Sequence, residues 1–224
     1  MPDDRTRWWP RMSDGHALPD AKQYAPAAAR NAGPICEVLG RGLPASGTIL
    51  EIGSGTGQHM VVFAAGHPEL SWQPSDPDPM LRASIAAWTA AEGLANLRPP
   101  LDLDVTAAGW ERALDRPLAG IVCINLVHIA PWAACEGLMA GAGALLGPGA
   151  FLYLYGPFKR AGVHTAASNA AFERMLRAHD PAWGVRDLEA VAACAAGHGL
   201  ELVDVVPMPA NNLSVVLRRA SPAP

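Results

Sequence analysis

The chain has few charged residues, and the shortage of lysine is its most unusual feature. Only 17% of the 224 residues are charged, and lysine occurs only at Lys22 and Lys159. The formal net charge is −4, and the basic residues are scattered along the chain. Because nucleic-acid binding draws much of its affinity from clustered Lys and Arg side chains, we expect no nucleic-acid partner.

Metal-binding and disulfide patterns are also missing from the sequence. The four cysteines lie far apart at Cys36, Cys123, Cys135 and Cys194, without a C-x-x-C pair. The seven histidines form no H-E-x-x-H motif. These spacings predict buried free thiols in a reducing, intracellular setting, and they do not indicate a metal site.

Long hydrophobic runs are absent as well. A membrane span requires about 20 uncharged apolar residues in a row, and no such stretch is present. The N-terminal segment contains no continuous apolar region of the kind found in signal peptides. Half of the residues are hydrophobic, so a large core can form. We expect a soluble cytoplasmic protein, a monomer or homodimer, with no membrane partner.

Strand-like and helix-like segments alternate through most of the chain. Residues 1–22 are polar and irregular, and we predict an N-terminal arm there that carries Trp8 and Trp9. Residues 23–224 are predicted to form a single domain. Its predicted strands span residues 47–53, 70–76, 101–105, 120–129, 150–156, 200–208 and 213–219. Helical patterns fill most of the intervals, and Pro34 is expected to divide the helical segment over residues 26–42 into two.

The alternation predicts an α/β fold with a mostly parallel seven-stranded sheet and helices on both faces. The last two strands are close together in sequence, so the final strand is expected to be antiparallel. After the fifth strand the alternation gives way to a long loop and helices. We interpret residues 157–199 as a helical insertion that covers a substrate, since ligands of such sheets bind beyond the carboxyl ends of the strands.

A glycine-rich turn follows the first predicted strand, in the sequence LEIGSGTGQH at residues 50–59. It places Gly53, Gly55 and Gly57 before a helix, where the backbone can approach a ligand closely. Glu51 lies two residues before the first glycine. Asp76 lies at the end of the second predicted strand, slightly more than 20 residues beyond the turn, which is the spacing of an acid that binds ribose hydroxyls.

The kind of nucleotide is indicated by Gln58, because a dinucleotide fingerprint has its third glycine at that position. The order E-x-G-x-G-x-G instead resembles motif I of the class I S-adenosylmethionine (SAM)-dependent methyltransferases. This resemblance implies SAM as the cofactor. Asp104, at the end of the third predicted strand, is then placed to bind the exocyclic amine of the adenine, with Val105 beside it.

The resemblance extends over the chain from about residue 22. The sequence is similar to the methyltransferase-like protein 26 family in LEIGSGTGQH, WQPSDPDP (72–79), CINLVHIAPW (123–132), DPAWGVRD (180–187) and MPANN (208–212). One departure is Ala29, where the family often carries an acid before the Arg-Asn pair. The resemblance implies a Rossmann-like class I methyltransferase fold that binds SAM, without defining a substrate.

Candidate site residues follow from this fold. For the cofactor, Arg30 is expected to bind the carboxylate, and Asn125 to lie beside the methionyl group. On the acceptor side, His128 is expected to act as a general base or to orient the acceptor, and Tyr155 and His164 to reach the substrate. The residues predicted to line the acceptor pocket are Tyr24, Asn169, Trp183, Asn211 and Asn212.

The sequence therefore predicts SAM-dependent methylation of a small molecule, with the accepting N, O or S atom left open. The tetrapeptide NLVH at residues 125–128 differs from the Asn-Pro-Pro-aromatic pattern that indicates methylation of amide or base nitrogens. Two alternatives stay open: a SAM-binding sensor or partner subunit without turnover, and an NAD-dependent oxidoreductase.

Overall fold

The structure of the chain is a computed structural model that describes residues 21–221. Most of the predicted arm, including Trp8 and Trp9, lies outside the described residues. Within residues 21–221, no helix is both long enough and apolar enough to cross a membrane.

The centre of the fold is a six-stranded sheet, accompanied by a two-stranded hairpin. The strands are β1 (Gly47–Ile52), β2 (Leu70–Ser75), β3 (Leu118–Ile124), β4 (Leu146–Gly156), β5 (Lys159–Arg160), β6 (Val163–His164), β7 (Leu200–Met208) and β8 (Asn212–Arg219). The main sheet has the order β2-β1-β3-β4-β8-β7, and β5 pairs with β6. Strands β1 to β4 are parallel, whereas β8 is antiparallel to β4 and to β7. This confirms the predicted mostly parallel sheet with an antiparallel last strand.

The strand predicted over residues 101–105 does not form, and this prediction was wrong. Leu97 and Leu101 make isolated parallel bridges to β2 and nothing longer. Pro99 and Pro100 lie between these bridges and have no N–H group to donate to a neighbouring strand. The main sheet therefore has six strands in place of the predicted seven, and β2 forms its edge.

Six α-helices pack against the sheet or beside it. They are α1 (Pro26–Gly40), α2 (Gln58–Gly66), α3 (Pro79–Glu92), α4 (Trp132–Leu145), α5 (Ala167–His179) and α6 (Leu188–Ala196). Pro34 lies inside α1 and does not end it, so the predicted interruption was wrong. Four buried residues are spaced along the whole of α1. Tertiary packing of such a buried stripe supplies most of a helix's stability and holds α1 together across the proline.

The sheet is buried on both faces, as the side chains of β4 show. Leu152 and Leu154 join the core beneath α4 and α6, whereas Phe151, Tyr153 and Tyr155 join the core beneath α1 and α2. Successive side chains of a strand point to opposite faces, so this alternation fixes which helix layer each residue meets. The carboxyl ends of β1 to β4 consequently open onto one edge between the two helix layers.

The segment after β4 contributes to both the body and the rim of the fold. Helix α6 packs against α4 and β7 and is part of the helix layer on one face of the sheet. The β5–β6 hairpin and α5 are not part of the main sheet, and α5 contacts β6. The predicted insertion over residues 157–199 thus contains one helix of the body, followed in sequence by β7.

Candidate functional site

The glycine turn has the backbone that its sequence predicts. Gly53, Gly55 and Gly57 have φ angles of 68°, 56° and 90°, in the left-handed region that favours glycine. A Cβ atom on Gly57 would lie 2.9 Å from the Cα of Ile85 in α3. A Cβ on Gly55 would meet nothing within 4 Å. The turn is therefore packed against the body at Gly57 and open at Gly55, where a ligand can approach the backbone.

Asp76 closes the turn from the end of β2. Its side chain is buried, one oxygen accepts the N–H of Gly55 at 3.0 Å, and the other accepts the N–H of Asp78 at 2.9 Å. Burial raises the pKa of Asp76 to about 6, although these two N–H groups and the charge of Arg82 act in the opposite direction. The predicted ribose-binding acid thus also holds the glycine turn in place.

Glu51 lies beneath the same turn and is almost fully buried. Among the described residues, no group makes a regular hydrogen bond to either of its carboxyl oxygens. Burial raises the pKa of Glu51 to about 8, with a smaller contribution from the nearby charge of Asp76, and the Ser54 hydroxyl opposes the shift. Below about pH 8, the folded protein therefore carries a neutral Glu51.

We expect Glu51→Gln to change how stability depends on pH. The unfolded chain loses the Glu51 proton near its ordinary pKa of 4.5, whereas the folded chain keeps it to about pH 8. Because the folded state binds the extra proton, the stability of the natural protein falls as pH rises through this window and is level above it. Glutamine cannot ionise, so the variant lacks this decline. Between pH 5 and pH 8, the unfolding free energy of the variant should therefore rise by at least about 1 kcal/mol relative to that of the natural protein. Melting temperatures of both proteins from pH 5 to pH 9 measure this difference, and parallel curves would contradict it.

Asp104 and Val105 follow the two isolated bridges, at the same edge as Asp76. Asp104 is exposed, and one of its oxygens accepts hydrogen bonds from the backbone N–H and the hydroxyl of Thr106. Val105 is buried, and its carbonyl oxygen lies against α4, where a Cβ on Gly137 would be only 1.9 Å away. The absence of a strand here leaves both predicted adenine-side residues in a loop that packs on α4.

Asn125 follows β3 at the carboxyl edge. It has a φ of 62°, its N–H donates to the carbonyl of Tyr155 at 2.7 Å, and its carbonyl accepts the N–H of His128 at 3.0 Å. The predicted strand over residues 120–129 therefore ends at Ile124, and residues Leu126–His128 form a single 3-10 turn. A left-handed asparagine at a strand end is a costly conformation that neighbouring hydrogen bonds must hold.

His128 is completely buried behind Asn125. Its Nδ1 accepts the backbone N–H of Arg186 at 3.2 Å, so the neutral ring carries its proton on Nε2. Burial and the charge of Arg186 lower the pKa of His128 to about 3. The ring packs edge-on against Phe158 with 4.7 Å between centroids. His128 is thus a neutral ring with a fixed tautomer.

Arg186 holds the segment around His128 from the other side. Its guanidinium donates to the carbonyls of Val127 at 2.8 Å and Ala130 at 2.6 Å. The N–H of Gly184 donates to the carbonyl of His128 at 2.9 Å. The residues between α5 and α6 are therefore bound directly to the loop after β3.

Tyr155 is the last residue but one of β4, and its side chain lies on the face of the sheet that α1 and α2 cover. It belongs to a polar cluster beneath α1. Burial raises the pKa of its hydroxyl, and hydrogen bonding by the side chains of Asn31 and Asn212 opposes this rise. The Asn31 amide oxygen accepts the Nε2–H of His59 at 2.7 Å. Burial lowers the pKa of His59 to about 4, so this ring is neutral.

Asn31 and His59 were not among the residues selected from the sequence. Asn31 lies three residues after Ala28 and four before Ile35, two buried positions of α1, and a polar residue at that spacing on an apolar face is a detectable signal. The connection between α1, α2 and the end of β4 depends on tertiary contacts that no local pattern encodes.

The turn between β7 and β8 is bound to α5. Asn169 is buried, and its amide donates to the carbonyl of Asn211 at 3.0 Å and to the hydroxyl of Thr165 at 3.1 Å. Asn211 in turn donates to the hydroxyl of Ser168 at 3.1 Å. Trp183 is buried, and its ring lies 4.9 Å from that of His179. The structure therefore brings Asn169, Asn211, Asn212 and Tyr155 to the same rim.

His164 belongs to a cluster of charged side chains around Glu173. Its Nε2 lies 2.6 Å from a Glu173 oxygen, Lys159 Nζ lies 2.9 Å from the same carboxylate, and Arg177 donates to it at 3.0 Å. Partial burial raises the pKa of Glu173, but Lys159 and Arg177 together hold it below its ordinary value. His164 is thus engaged by an ion cluster through one nitrogen, and its other ring nitrogen is buried without a described partner.

Two predicted residues lie at the start of the described chain. Tyr24 is half exposed, just before α1, and Arg30 is exposed on α1 next to Asn31. Over residues 21–221, no group of three or more His, Cys, Asp or Glu side chains is arranged to hold a metal ion.

A protein-family model covers almost the whole described chain. The family is described as "Protein of unknown function (DUF938)", and its model matches residues 22–219.

Solved structures with a similar fold include proteins named as methyltransferases. An O-methyltransferase family protein from Burkholderia thailandensis is 16% identical, with a TM-score of 0.72 over 87% of this chain and 58% of its own. An O-methyltransferase family 2 protein from Planctomyces limnophilus, in complex with apigenin, is 18% identical, with a TM-score of 0.71 over 87% and 60%. Human N-acetylserotonin methyltransferase in complex with SAM is 12% identical, with a TM-score of 0.68 over 87% and 53%. This chain thus spans little more than half the length of these proteins, and the similarity shows a Rossmann-like methyltransferase fold.

Proposed function

The chain belongs to the DUF938 family, and from that premise we propose that it binds SAM and transfers a methyl group to a small molecule. One observation carries the proposal: the glycine turn after β1 is bonded to the Asp76 carboxylate at the end of β2, and the space beside Gly55 is open. The finer similarity to the methyltransferase-like protein 26 family, read from the sequence motifs, is part of the same proposal.

The residues at this edge fit the chemical groups of SAM. Gly55 leaves room for the cofactor against the backbone, and Asp76 offers carboxylate oxygens to two ribose hydroxyls. Glu51 is a buried acid with no regular hydrogen bond to its carboxyl oxygens among residues 21–221, and a cation bound beside it would favour its charged form. Arg30, Asp104, Val105 and Asn125 complete the proposed cofactor site. When bound, SAM supplies a methyl group on a positively charged sulfur, open to in-line attack.

The acceptor is proposed to lie between α1 and the rim formed by α5 and the β7–β8 turn. Tyr155 and His164 are the proposed catalytic groups, His128 lies buried behind Asn125, and the proposed acceptor-binding residues are Tyr24, Asn169, Trp183, Asn211 and Asn212. Their task is to orient the acceptor and exclude water, since in-line transfer depends on alignment. The O-methyltransferase names of the structural neighbours favour oxygen as the accepting atom. We still predict that the protein has no nucleic-acid or membrane partner. We also predict that it is a monomer or a homodimer.

A SAM-binding protein without turnover is the second candidate function. The observation in its favour is that His128 and His164 each have one ring nitrogen occupied, by the Arg186 N–H and by Glu173 respectively. The Arg186 N–H therefore occupies the lone pair of His128, so that ring is not a free base, whereas His164, which faces Glu173 through Nε2, keeps a lone pair on Nδ1. A methyltransferase needs a base only when its acceptor is still protonated, so both functions are compatible with these contacts.

The test is incubation with SAM labelled in its methyl group and an extract of small metabolites. We expect a labelled small molecule to form, and calorimetry to show binding of SAM and of S-adenosylhomocysteine. Gly55→Val is the non-binding control, because its side chain would occupy the open space beside the turn; valine is also strained at the positive φ of Gly55, so circular dichroism must show that the variant folds. Tight SAM binding without a labelled product would favour the sensor. Binding of NADH with no binding of SAM or S-adenosylhomocysteine would reject both.

A further inference from the structure

His128 is held in one orientation by groups on two sides. The backbone N–H of Arg186 donates to Nδ1, and Phe158 packs against the ring. The N–H of Gly184 binds the carbonyl of the same residue. Among the described residues, the guanidinium of Arg186 is the only charge that acts on the imidazole ring, and it disfavours binding of a second proton to the neutral ring. A ring fixed in this way can donate through Nε2, but it can accept a proton only by losing the Arg186 hydrogen bond.

The donor of this ring is directed to a particular neighbour. A Cβ atom on Gly156 would lie 2.5 Å from His128 Nε2 and 3.0 Å from Asn125 Oδ1. The imidazole donor and the amide acceptor therefore both border the space beside the Gly156 Cα, which the Cβ of any other residue would fill. Nε2 is buried and has no hydrogen-bond partner among the described residues. Such a donor is costly, and the Asn125 amide oxygen is an acceptor that borders the same space.

We infer that His128 is a positioning residue that orients the Asn125 amide towards the cofactor, in place of the catalytic role that the sequence suggests. This inference rests on the proposed function, since it assigns Asn125 to the SAM site. When Oδ1 of Asn125 accepts the His128 Nε2–H, the amide NH₂ group points away from His128. Two N–H donors then face the cofactor's polar end.

The same arrangement links the region between α5 and α6 to the cofactor edge. Arg186 and Gly184 are bonded to His128, and His128 lies against Asn125. A displacement of residues 183–187 by an acceptor would move the ring and with it the amide. His128 thereby couples acceptor binding to cofactor binding without contacting the reacting atoms.

Calorimetry with S-adenosylhomocysteine as the probe tests whether His128 and Asn125 act together on cofactor affinity. His128→Ala and Asn125→Ala are each expected to weaken binding about tenfold, which corresponds to the loss of one hydrogen bond. The double variant should lose no more than either single variant, because the two side chains act as one unit. His128→Gln should recover most of the affinity, since its amide NH₂ can replace the Nε2–H. Val191→Ala, a core truncation in α6, controls for stability and should lower the melting temperature without changing affinity.

Nitrogen-15 spectra of the histidine rings give an independent measurement. We expect His128 to keep its neutral Nε2–H form from pH 5 to pH 9 and its signal to shift when S-adenosylhomocysteine binds. Unchanged affinity of His128→Ala, multiplied effects in the double variant, or titration of His128 near neutral pH would each overturn the inference. If the natural protein does not bind S-adenosylhomocysteine at all, the proposed function falls with it; if it binds and His128→Ala binds equally well, only the positioning role falls.

Discussion

Asp76→Ala is expected to weaken SAM binding by a factor of about 100 or more. Hydrogen bonds to a charged group contribute about 1.5–3 kcal/mol each, and the carboxylate is proposed to accept two from the ribose. The substitution also removes the acceptor of the Gly55 N–H, which holds the glycine turn. Calorimetric titration of SAM into the natural and substituted proteins measures the loss.

Two further substitutions separate the ribose contacts from the support of the turn. Asp76→Asn keeps an oxygen for the Gly55 N–H but loses the charge, and it should give an intermediate affinity. Asp78 is the N-cap of α3, and its side chain accepts the Met80 N–H. The Asp78→Ala substitution removes this cap. It should cost about 1 kcal/mol of stability and leave SAM affinity unchanged. If Asp76→Ala bound SAM normally, Asp76 would have no place in the cofactor site.

Gly137→Ala is expected to destabilise the fold by about 3 kcal/mol. The added methyl group would lie 1.9 Å from the carbonyl oxygen of Val105, so α4 and the loop after the isolated bridges would have to separate. Overpacking of this kind typically costs about 1–3 kcal/mol, and a backbone obstacle cannot rotate away. Urea unfolding followed by circular dichroism measures the change.

Gly33→Ala is the matched control for this substitution. Gly33 also lies inside a helix, α1, and an added Cβ would meet nothing within 4 Å. It should stabilise the protein by about 0.5–1 kcal/mol, because alanine loses less conformational freedom than glycine in a helix. Equal unfolding midpoints for Gly137→Ala and the natural protein would show that α4 and Val105 are not in contact.

The glycine turn could be predicted from the sequence because its determinants are local. Gly53, Gly55 and Gly57 have the positive φ angles that their spacing between a strand and a helix requires. Asp76 could be placed with them because the carboxyl ends of neighbouring parallel strands meet at one edge. These positions depend on chain direction and strand order, which the alternation of elements encodes.

The strand expected over residues 101–105 shows where such reasoning fails. Its alternating LDLDV pattern is that of a half-buried strand, but a strand also needs donors and acceptors facing a partner. The partner strand β2 ends at Ser75, opposite Leu101, so residues 102–105 have no strand to pair with, and Pro99 and Pro100 supply no donors between the two isolated bridges. The alternation of buried and exposed side chains was predicted correctly, but the segment lacks the backbone hydrogen bonds to a neighbouring strand that a strand requires.

His128 illustrates a different limit of sequence reasoning. Its position after β3 could be predicted, but its protonation state depends on the N–H of Arg186, which is 58 residues further along the chain. The same holds for Asn31, whose partners His59 and Tyr155 come from α2 and β4. The chemistry of a side chain is set by tertiary neighbours, and no local pattern names them.

The position of β8 between β4 and β7 has a consequence for how the protein is made. All sheet partners of β7 lie in β8, which follows it in the chain. Until the ribosome has added the residues of β8, up to Arg219, β7 has no complete partner strand. Strands β1 to β4 can associate earlier, but the last third of the sheet must form in one late step. Until then, the edge of β4 and the whole of β7 are exposed to chaperones and to other nascent chains.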